Sequence, residues 1–171
     1  MARRFRGEHE TKVDGKGRMS IPASFRKVIE ANDPDWVEGR PATLIVVYGD
    51  ERRNFLECYT IHAIEEVDAL IERMPRGTPE RRAMEDFIYA KSEEIAVDGT
   101  GRTVLPKKLR DKIGLGADTP AVIRAAGDTF QIWNAATWGA EVGDGIEAVF
   151  AGLPEGADPL VLLDRYRETA P

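Results

Sequence analysis

Short apolar segments recur along the chain between clusters of Gly, Pro and Asp, and this pattern predicts β-strands. Four of them are expected as two pairs, at residues 43–48 and 55–59 and again at residues 121–125 and 130–133. A polar turn that contains glycine separates the members of each pair. The sequence thus predicts two similar strand pairs, one in each half of the chain.

In the middle of the chain, apolar residues recur every three or four positions and predict two amphipathic helices. The first is expected over residues 61–74 with Thr60 as its N-cap, and the second begins at Thr78 and Pro79. The short turn at residues 75–77 makes the two helices a hairpin. We expect this helical hairpin to lie on the strands or against a neighbouring subunit.

One motif occurs twice in the same register, with Asp14 and Asp98 at equivalent positions 84 residues apart. The copies run over residues 13–26 and 97–110 and share a valine, the aspartate, two glycines, two arginines and a proline. An ungapped match of this kind marks an internal repeat. We therefore expect two copies of one small unit in a pseudo-symmetric core.

Each copy is expected to form a strand, a tight turn, a second strand and a short helix that starts after a proline. The Asp-Gly pair is a turn signal, because glycine accepts a positive φ and the carboxylate accepts hydrogen bonds from nearby backbone N–H groups. A second glycine two positions later permits a sharp reversal. The structural turn residues predicted in this way are Asp14, Gly15, Gly17, Asp98, Gly99 and Gly101.

The arginine that follows each turn, Arg18 or Arg102, admits two interpretations. It can pair with the aspartate four residues before it, or it can face a partner molecule. The turns also differ from each other, since the position of Lys16 in the first is taken by Thr100 in the second. The sequence alone leaves both roles of the arginines open.

The repeat divides an α+β chain into four segments. In the last segment, residues 139–156 are rich in glycine and are expected to form a loop, and Asp158 with Pro159 is expected to open a final short helix through Arg167. The expected boundaries are 8–51 for the first module, 52–92 for the return strand and helical hairpin, 93–136 for the second module, and 137–171 for the loop and last helix.

Composition places the chain among globular proteins. Of its 171 residues 42% are hydrophobic, which is enough for a core, and 32% are charged. There is no apolar run of about 18 residues, so we expect no membrane span. The N-terminus lacks the apolar segment of a signal peptide, and the single cysteine, Cys58, excludes an internal disulfide. These features favour a cytoplasmic protein in which Cys58 is buried.

The charge is unevenly distributed. The chain as a whole is acidic, with a formal net charge of −6. Residues 1–26, however, hold seven Lys/Arg against three acids, and residues 98–112 hold five against two. A local basic face on an acidic body is compatible with this distribution.

Motifs for metals, nucleotides and catalysis are not satisfied. An EF-hand loop that starts at Asp14 would need an acid or amide at its third position and glutamate at its twelfth, where Lys16 and Phe25 stand. The dinucleotide pattern fails in the same stretch. His9 and His62 lack partners at ligand spacing, and no nucleophile–base pair is apparent. We expect no cofactor and no metal, and we expect that the protein is not an enzyme.

At this point the motifs resemble those of the MraZ family of bacterial transcriptional regulators. Asp-Gly-x-Gly-Arg followed by a helix that starts after a proline and ends in arginine occurs twice, and the resemblance covers residues 5–140. Further segments that look familial are Phe5-Arg6-Gly7, Arg81-Arg82, residues 130–134 and Thr137-Trp138.

The resemblance implies a fold, partners and site residues. The fold would be two pseudo-symmetric AbrB-like, swapped-hairpin β-barrel modules with the helical hairpin between them. The subunits would form a homo-oligomer, a ring in this family, that associates with the nucleoid. It would bind double-stranded DNA at short direct repeats upstream of division and cell-wall genes. The DNA-binding residues expected from the family motif, its repeat and the basic N-terminal arm are Arg18, Lys16, Arg102, Arg6 and Arg4.

A second function remains open beside DNA binding. The acidic isoelectric point of about 5.1 and the helical hairpin favour a ring-forming protein-interaction or antitoxin-like module. A mobility-shift assay with the DNA upstream of the protein's own gene separates the two hypotheses.

Overall fold

The computed structural model describes residues 3–141 and 143–167, so Met1 and Ala2 of the predicted basic arm lie outside the described residues. The chain is α+β, as predicted. The strands are β1 (Glu8–Lys12), β2 (Arg18–Ser20), β3 (Ala42–Val47), β4 (Phe55–Thr60), β5 (Ser92–Val97), β6 (Arg102–Val104), β7 (Pro120–Ala125) and β8 (Thr129–Asn134). The helices are α1 (Ala23–Ala31), α2 (Ile61–Glu72), α3 (Pro79–Glu85), α4 (Lys107–Lys112), α5 (Ala135–Glu141), α6 (Gly143–Ala151) and α7 (Asp164–Arg167).

Six strands form one sheet in the order β1-β7-β8-β4-β3-β5, in which every neighbouring pair is antiparallel. This order exchanges strands between the repeats. The first strand of each repeat pairs with the third strand of the other, and β4 meets β8 in the middle. The two remaining strands, β2 and β6, pair only with each other as a separate ribbon. Neither repeat therefore completes its sheet without the other.

The pairing register shows how the halves are related. In the ribbon, Met19 lies opposite Thr103, and these residues occupy equivalent positions of the two repeats. In the large sheet, Glu57 lies opposite Gln131. These two residues are also equivalent when the repeats are aligned with Tyr59 on Trp133. Equivalent residues face each other only where an approximate twofold axis passes. The axis that relates the repeats therefore runs through the centre of the ribbon.

The core is built from equivalent apolar residues of both repeats. One cluster contains most of the buried side chains and draws on both sheets and on helices α1 and α4. The ring of Phe5, from the N-terminal arm, packs 5.0 Å from the rings of Phe25 and Phe130. Cys58 is fully buried, as expected, and burial raises the pKa of its thiol well above the usual range. The equivalent core pairs are Val13 and Val97, Ile21 and Leu105, Phe25 and Leu109, and Ile29 and Ile113.

The predicted helical hairpin is confirmed and packs on the sheet. The side chain of Thr60 accepts the N–H of Ala63 and caps α2, and Thr78 caps α3 in the same way. After α3 the chain adds one π-helical turn, Asp86–Ala90. A second apolar cluster joins the hairpin to β3, and its buried members are Val47, Ile64, Ile71 and Ile88.

The side chain of Arg81 connects the two helices of this hairpin. Its side chain is 10% exposed, and its guanidinium donates to the backbone oxygens of Met74 and Glu72 and to the carboxylate of Glu85. The guanidinium thus satisfies carbonyl groups at the C-terminal end of α2 that have no partner within the helix. Arg81 thus acts inside the fold and not on a surface.

The expectation of a loop over residues 139–156 was wrong. Helices α5 and α6 cover residues 135–141 and 143–151, and residues 152–158 are irregular. A glycine in a helix costs about 1 kcal/mol relative to alanine, and a cost of this size does not by itself prevent a helix from forming. The last helix is confirmed: Asp158 caps a 3₁₀ turn, Pro159–Leu163, that leads into α7.

The chain divides into two compact units, one through Ala135 and one from Ala136 onward. The first unit contains both repeats, the large sheet, the ribbon and the helical hairpin. Among the described residues, no helix is long and apolar enough to span a membrane.

Candidate nucleic-acid interface

The first turn is organised by the carboxylate of Asp14. Its Oδ1 accepts the backbone N–H groups of Lys16 and Arg18, both at 2.9 Å. The backbone N–H of Gly17 donates to the carbonyl of Asp14 at 3.0 Å and closes the turn. The bond from the N–H of Arg18 is the main cause that lowers the pKa of Asp14. The sequence places aspartate here because a short acceptor can reach two amides at once.

The second turn repeats this geometry with one difference. Asp98 Oδ1 accepts the backbone N–H groups of Thr100 and Arg102, both at 2.9 Å, and also the hydroxyl of Thr100 at 2.7 Å. The hydroxyl bond is the main cause that lowers the pKa of Asp98. Thr100 therefore takes up acceptor capacity of the aspartate that Lys16 leaves free in the first turn.

The lowered pKa of Asp98 makes a pH-dependent prediction. A carboxylate whose pKa is lower in the folded than in the unfolded state stabilises the fold above the unfolded pKa, and this contribution is lost as the pH falls below about 4. We expect Asp98→Ala to lower the melting temperature by a few degrees near neutral pH. The difference from the wild type should shrink in melts at lower pH. Asp98→Asn, which keeps an acceptor oxygen, serves as the control.

One combination of results would contradict the structural role of Asp98. If Asp98→Ala melts like the wild type but no longer binds DNA, the carboxylate acts in recognition and not in the turn. The same comparison applies to Asp14.

The second glycine of each turn lies against the other repeat. Gly17 and Gly101 have φ of 80° and 85°, in the left-handed region. The carbonyl of Gly17 accepts the N–H of Leu105 at 2.8 Å, and that of Gly101 accepts the N–H of Ile21 at 2.7 Å. These bonds extend the ladder of β2 and β6 by one residue at each end. The ribbon is thus fixed at both ends by contacts between the repeats.

Replacing Gly101 with alanine is expected to destabilise the fold. The left-handed φ alone costs an alanine about 1–2 kcal/mol, and its Cβ would collide with the carbonyl oxygen of Ile21. We expect the melting temperature to fall by several degrees, since about 1 kcal/mol shifts it by roughly 2–4 °C at this chain length. Gly99→Ala is the matched control, because its Cβ would meet no atom within 4 Å and its φ is not positive. Equal melting temperatures of the two variants would contradict the close approach at Gly101.

The ribbon buries one face and exposes the other. Met19 and Thr103 are 2% exposed and point into the core, and the hydroxyl of Thr103 donates to the carbonyl of Ala96. The strand period of two then places the neighbouring residues on the outer face. All four are exposed: Arg18 opposite Val104, and Ser20 opposite Arg102.

The arginines are held differently. The Nε of Arg18 donates to Oδ2 of Asp14 at 2.6 Å, so the first of the two interpretations holds for this residue. Its terminal amino groups have no hydrogen-bond partner among residues 3–141 and 143–167. Over the same residues, the guanidinium of Arg102 makes no hydrogen bond and no ion pair. Arg18 is therefore the better oriented of the two, with two terminal donor groups left over.

The outer face of the ribbon borders a shallow depression of mixed charge. Its volume is about 220 Å³. The side chains that line it are Lys12, Asp14, Arg18, Met19, Ser20, Arg102 and Asp118. The structure thus brings the arginines of the two repeats together at one place. Three cations and two carboxylates share that place, so the cations are in slight excess.

The arm arginines lie elsewhere. Phe5 anchors the arm in the core, and Arg4 and Arg6 line a second depression beside Lys27 on α1. Arg4 also approaches Asp128, with 3.5 Å between Nη1 and Oδ2, and both side chains are about half exposed. Lys16 is exposed at the tip of the first turn. The predicted residues therefore occupy more than one region of the surface.

The sequence did not single out Ser20 and Val104 as site residues. Both belong to strands of three residues, and only the pairing between the repeats places them beside the arginines. The repeat itself carried a weak signal, since the two residues occupy equivalent positions and differ in polarity. Within residues 3–141 and 143–167, no group of three or more His, Cys, Asp or Glu is placed to hold a metal ion.

These features define a class of protein, an α+β chain of two strand-exchanged repeats that presents arginines on a short exposed β-ribbon. Comparison with known proteins gives the family. The family model described as "MraZ protein, putative antitoxin-like" matches residues 4–86 and 88–147. The chain belongs to the MraZ family, and the resemblance in its motifs is confirmed.

Curated relatives match almost the whole chain. The chain is 55% identical over 164 residues to the "Transcriptional regulator MraZ" of Ruegeria pomeroyi, which covers 96% of this chain and 97% of that protein. It is 52% identical over 164 residues to the protein of the same name from another Ruegeria strain, with the same coverage. The protein of this name from Cereibacter sphaeroides is 43% identical over 169 residues, 96% of this chain and 98% of its own length. These relatives bear the name of a regulator and not of an enzyme, as expected for this chain.

Proposed function

We propose that the chain is a DNA-binding transcriptional regulator and that the outer face of the β2–β6 ribbon is its reading surface. The observation that carries this proposal is the arrangement of Arg18 and Arg102 at diagonal positions of the ladder, where side chains start about 7–8 Å apart. A two-stranded ribbon fits the major groove of B-DNA, and arginine there forks onto O6 and N7 of guanine. The relatives, which bear the name of a transcriptional regulator, support the same function.

The ion pair of Arg18 supports this role. Asp14 holds the Nε of Arg18, and the two terminal amino groups remain for a bidentate contact. A guanidinium that is oriented before binding loses less side-chain entropy when it meets the base. Pairing with the aspartate and contact with DNA are therefore compatible roles of one side chain.

The strand exchange supports the finer proposal for the fold. We propose that residues 8–51 and 93–136 are two AbrB-like modules of the swapped-hairpin type. Each module gives its first strand to the other and pairs its second strand across the twofold axis. The return strand and helical hairpin at residues 52–92 would connect them, and residues 137–171 would form an appendage.

The proposed target is double-stranded DNA with short direct repeats, upstream of division and cell-wall genes. The proposed assembly is a homo-oligomeric ring in the cytoplasm, associated with the nucleoid. Lys16 at the turn would contact a phosphate beside the ribbon, and Arg4 and Arg6 on the arm would contact phosphates at a separate place on the duplex. The pair between Arg4 and Asp128 lies in solvent, where such pairs contribute little, so a phosphate can replace the carboxylate.

A mobility-shift assay tests the proposal. Duplexes tiled from the DNA upstream of the protein's own gene are titrated with the full chain at about 50 mM and at about 200 mM salt. We expect one region to be bound more tightly than shuffled duplexes of equal composition at both salt concentrations. Binding that does not distinguish these duplexes would remove sequence-specific regulation.

A second candidate function is a protein-interaction or antitoxin-like module. It is favoured by the tail, where residues 136–171 carry seven of the acids and only two arginines, and so most of the net negative charge. Several apolar side chains there are exposed: Ile146, Val149, Phe150, Leu160, Val161, Leu163 and Tyr166. A chain that ignores all upstream duplexes but captures one protein in stoichiometric amount would support this candidate.

A further inference from the structure

The outer face of the ribbon is symmetric in its arginines but not in the residues beside them. Arg18 and Arg102 are equivalent in the two repeats, and so are Ser20 and Val104, which lie 84 residues apart. The twofold axis therefore carries arginine onto arginine but serine onto valine. One half of the face is polar throughout, and the other half presents an apolar side chain.

Val104 belongs to neither of the two buried apolar clusters. It is 53% exposed and lies opposite Arg18, whose side chain is 44% exposed. The buried positions of the ribbon are held by Met19 and Thr103, on the other face. Serine at the equivalent position of the same ladder shows that the ribbon forms without an apolar residue there. The exposed side chain of Val104 is thus available to contact the same part of a partner molecule as Arg18.

Only one group on the base edges of the major groove is apolar and can pack against an apolar side chain. The base edges there present hydrogen-bond donors and acceptors, except for the C5-methyl group of thymine. A valine against that methyl removes apolar surface of both from water. A serine in the same place donates or accepts a hydrogen bond with any base and has no reason to prefer the methyl.

We propose that Val104 is a specificity-determining residue that packs against the C5-methyl of a thymine next to the base contacted by Arg18. This inference rests on the proposed function of the ribbon. It has a consequence for the form of the target. Two identical half-faces would read a sequence with twofold symmetry, whereas Ser20 beside Arg102 and Val104 beside Arg18 give the element a direction. Elements with a direction can be read in a row, all with the same orientation.

The test removes the methyl group from the DNA and the valine from the protein. The probe is the shortest upstream duplex that the full chain binds in a mobility shift, with thymines replaced by deoxyuridine, first all together and then one at a time. We expect the wild type to lose about three- to fivefold in affinity at one position per element, the value of one buried methyl group. Val104→Ser should bind the thymine duplex with that lower affinity and should not distinguish it from the deoxyuridine duplex.

Two variants serve as controls. Val104→Ile keeps the apolar contact and should keep the preference for thymine. Ser20→Ala changes the equivalent position, and whatever its overall affinity, it should lose the same factor as the wild type when the thymine contacted by Val104 is replaced by deoxyuridine. Melting temperatures of all variants should match the wild type, because both positions are exposed.

The outcomes separate this inference from the proposed function. Wild-type binding that is equal for thymine and deoxyuridine duplexes overturns the role of Val104 and leaves DNA binding intact. The same holds if Val104→Ser keeps the wild-type preference. If the full chain binds no upstream duplex, both proposals fall together.

Discussion

Replacing Arg18 with alanine is expected to weaken binding of the upstream DNA by roughly 1–3 kcal/mol per engaged subunit, the value of one bidentate arginine–guanine contact. In an oligomer that engages several elements, these losses accumulate, so the loss should exceed that of any other single change on the ribbon. The melting temperature should change little, because the side chain is 44% exposed and its pair with Asp14 lies in solvent. Mobility shifts and thermal melts of the same preparation give both numbers.

Two variants show whether the loss comes from the bidentate geometry of the guanidinium or from its positive charge. Arg18→Lys keeps the charge but cannot make a bidentate contact, so it should lose the preference for the upstream site and keep part of the non-specific binding. Lys16→Ala should weaken binding to all duplexes about equally, with a salt dependence reduced by about one phosphate contact. Unchanged DNA affinity of Arg18→Ala, with an unchanged melting temperature, would exclude Arg18 from the site.

The equivalent change in the second repeat should have a smaller effect. Arg102 makes no side-chain pair with Asp98, whereas Oδ2 of Asp14 holds the Nε of Arg18, so the guanidinium of Arg102 is less well oriented before binding. Thr100→Lys would restore the composition of the first turn and should bring Arg102 closer to Arg18 in effect. If Arg102→Ala costs more than Arg18→Ala, orientation by the aspartate is not what matters.

The local structure of this chain could be predicted because short-range chemistry decides it. An aspartate that bonds amides two and four residues ahead, a glycine with positive φ and a threonine that caps a helix act within a few residues. The turns at Asp14 and Asp98 and the caps at Thr60 and Thr78 therefore follow from the sequence.

The exchange of strands between the repeats could not be predicted in the same way. Alternating apolar residues specify which face of a strand is buried but not which strand lies next to it. The pairing of β2 with β6 is also too short, at three residues, to leave a pattern of its own. Ser20 and Val104 therefore gained their meaning only from the register of the ribbon, although the repeat had placed them at equivalent positions.

The tail was mispredicted for a different reason. Frequent glycine predicts a loop, but a glycine disfavours a helix only by lost entropy unless the backbone needs a conformation that other residues avoid. In the described part of the tail, Gly156 has a positive φ, whereas Gly139 and Gly145 do not. The two kinds of glycine look alike in a sequence and differ only in the conformation of the backbone.

The second large effect is expected from the number of DNA elements. In the proposed oligomer each subunit presents one ribbon, so we expect each subunit to bind one DNA element. Once one ribbon has docked, the next binds at a high effective concentration, and affinity can rise by factors on the order of 10²–10⁴ without any new kind of contact. We expect duplexes with one, two and three elements to show this rise in mobility shifts at constant salt.

Spacing decides whether that rise occurs. Neighbouring subunits reach neighbouring elements only if these face the same side of the duplex, which requires a separation near one helical turn, about 10 bp. Inserting about half a turn between two elements should rotate the second away and return the affinity to that of a single element, whereas inserting a full turn should restore part of the gain. Reversing one element at correct spacing should also abolish the gain, since an element with a direction then presents its bases to the wrong half of the ribbon. If the affinity does not depend on the number, spacing or orientation of the elements, multivalent reading is refuted, even if Arg18 proves essential. One ribbon on one element would then account for all of the binding.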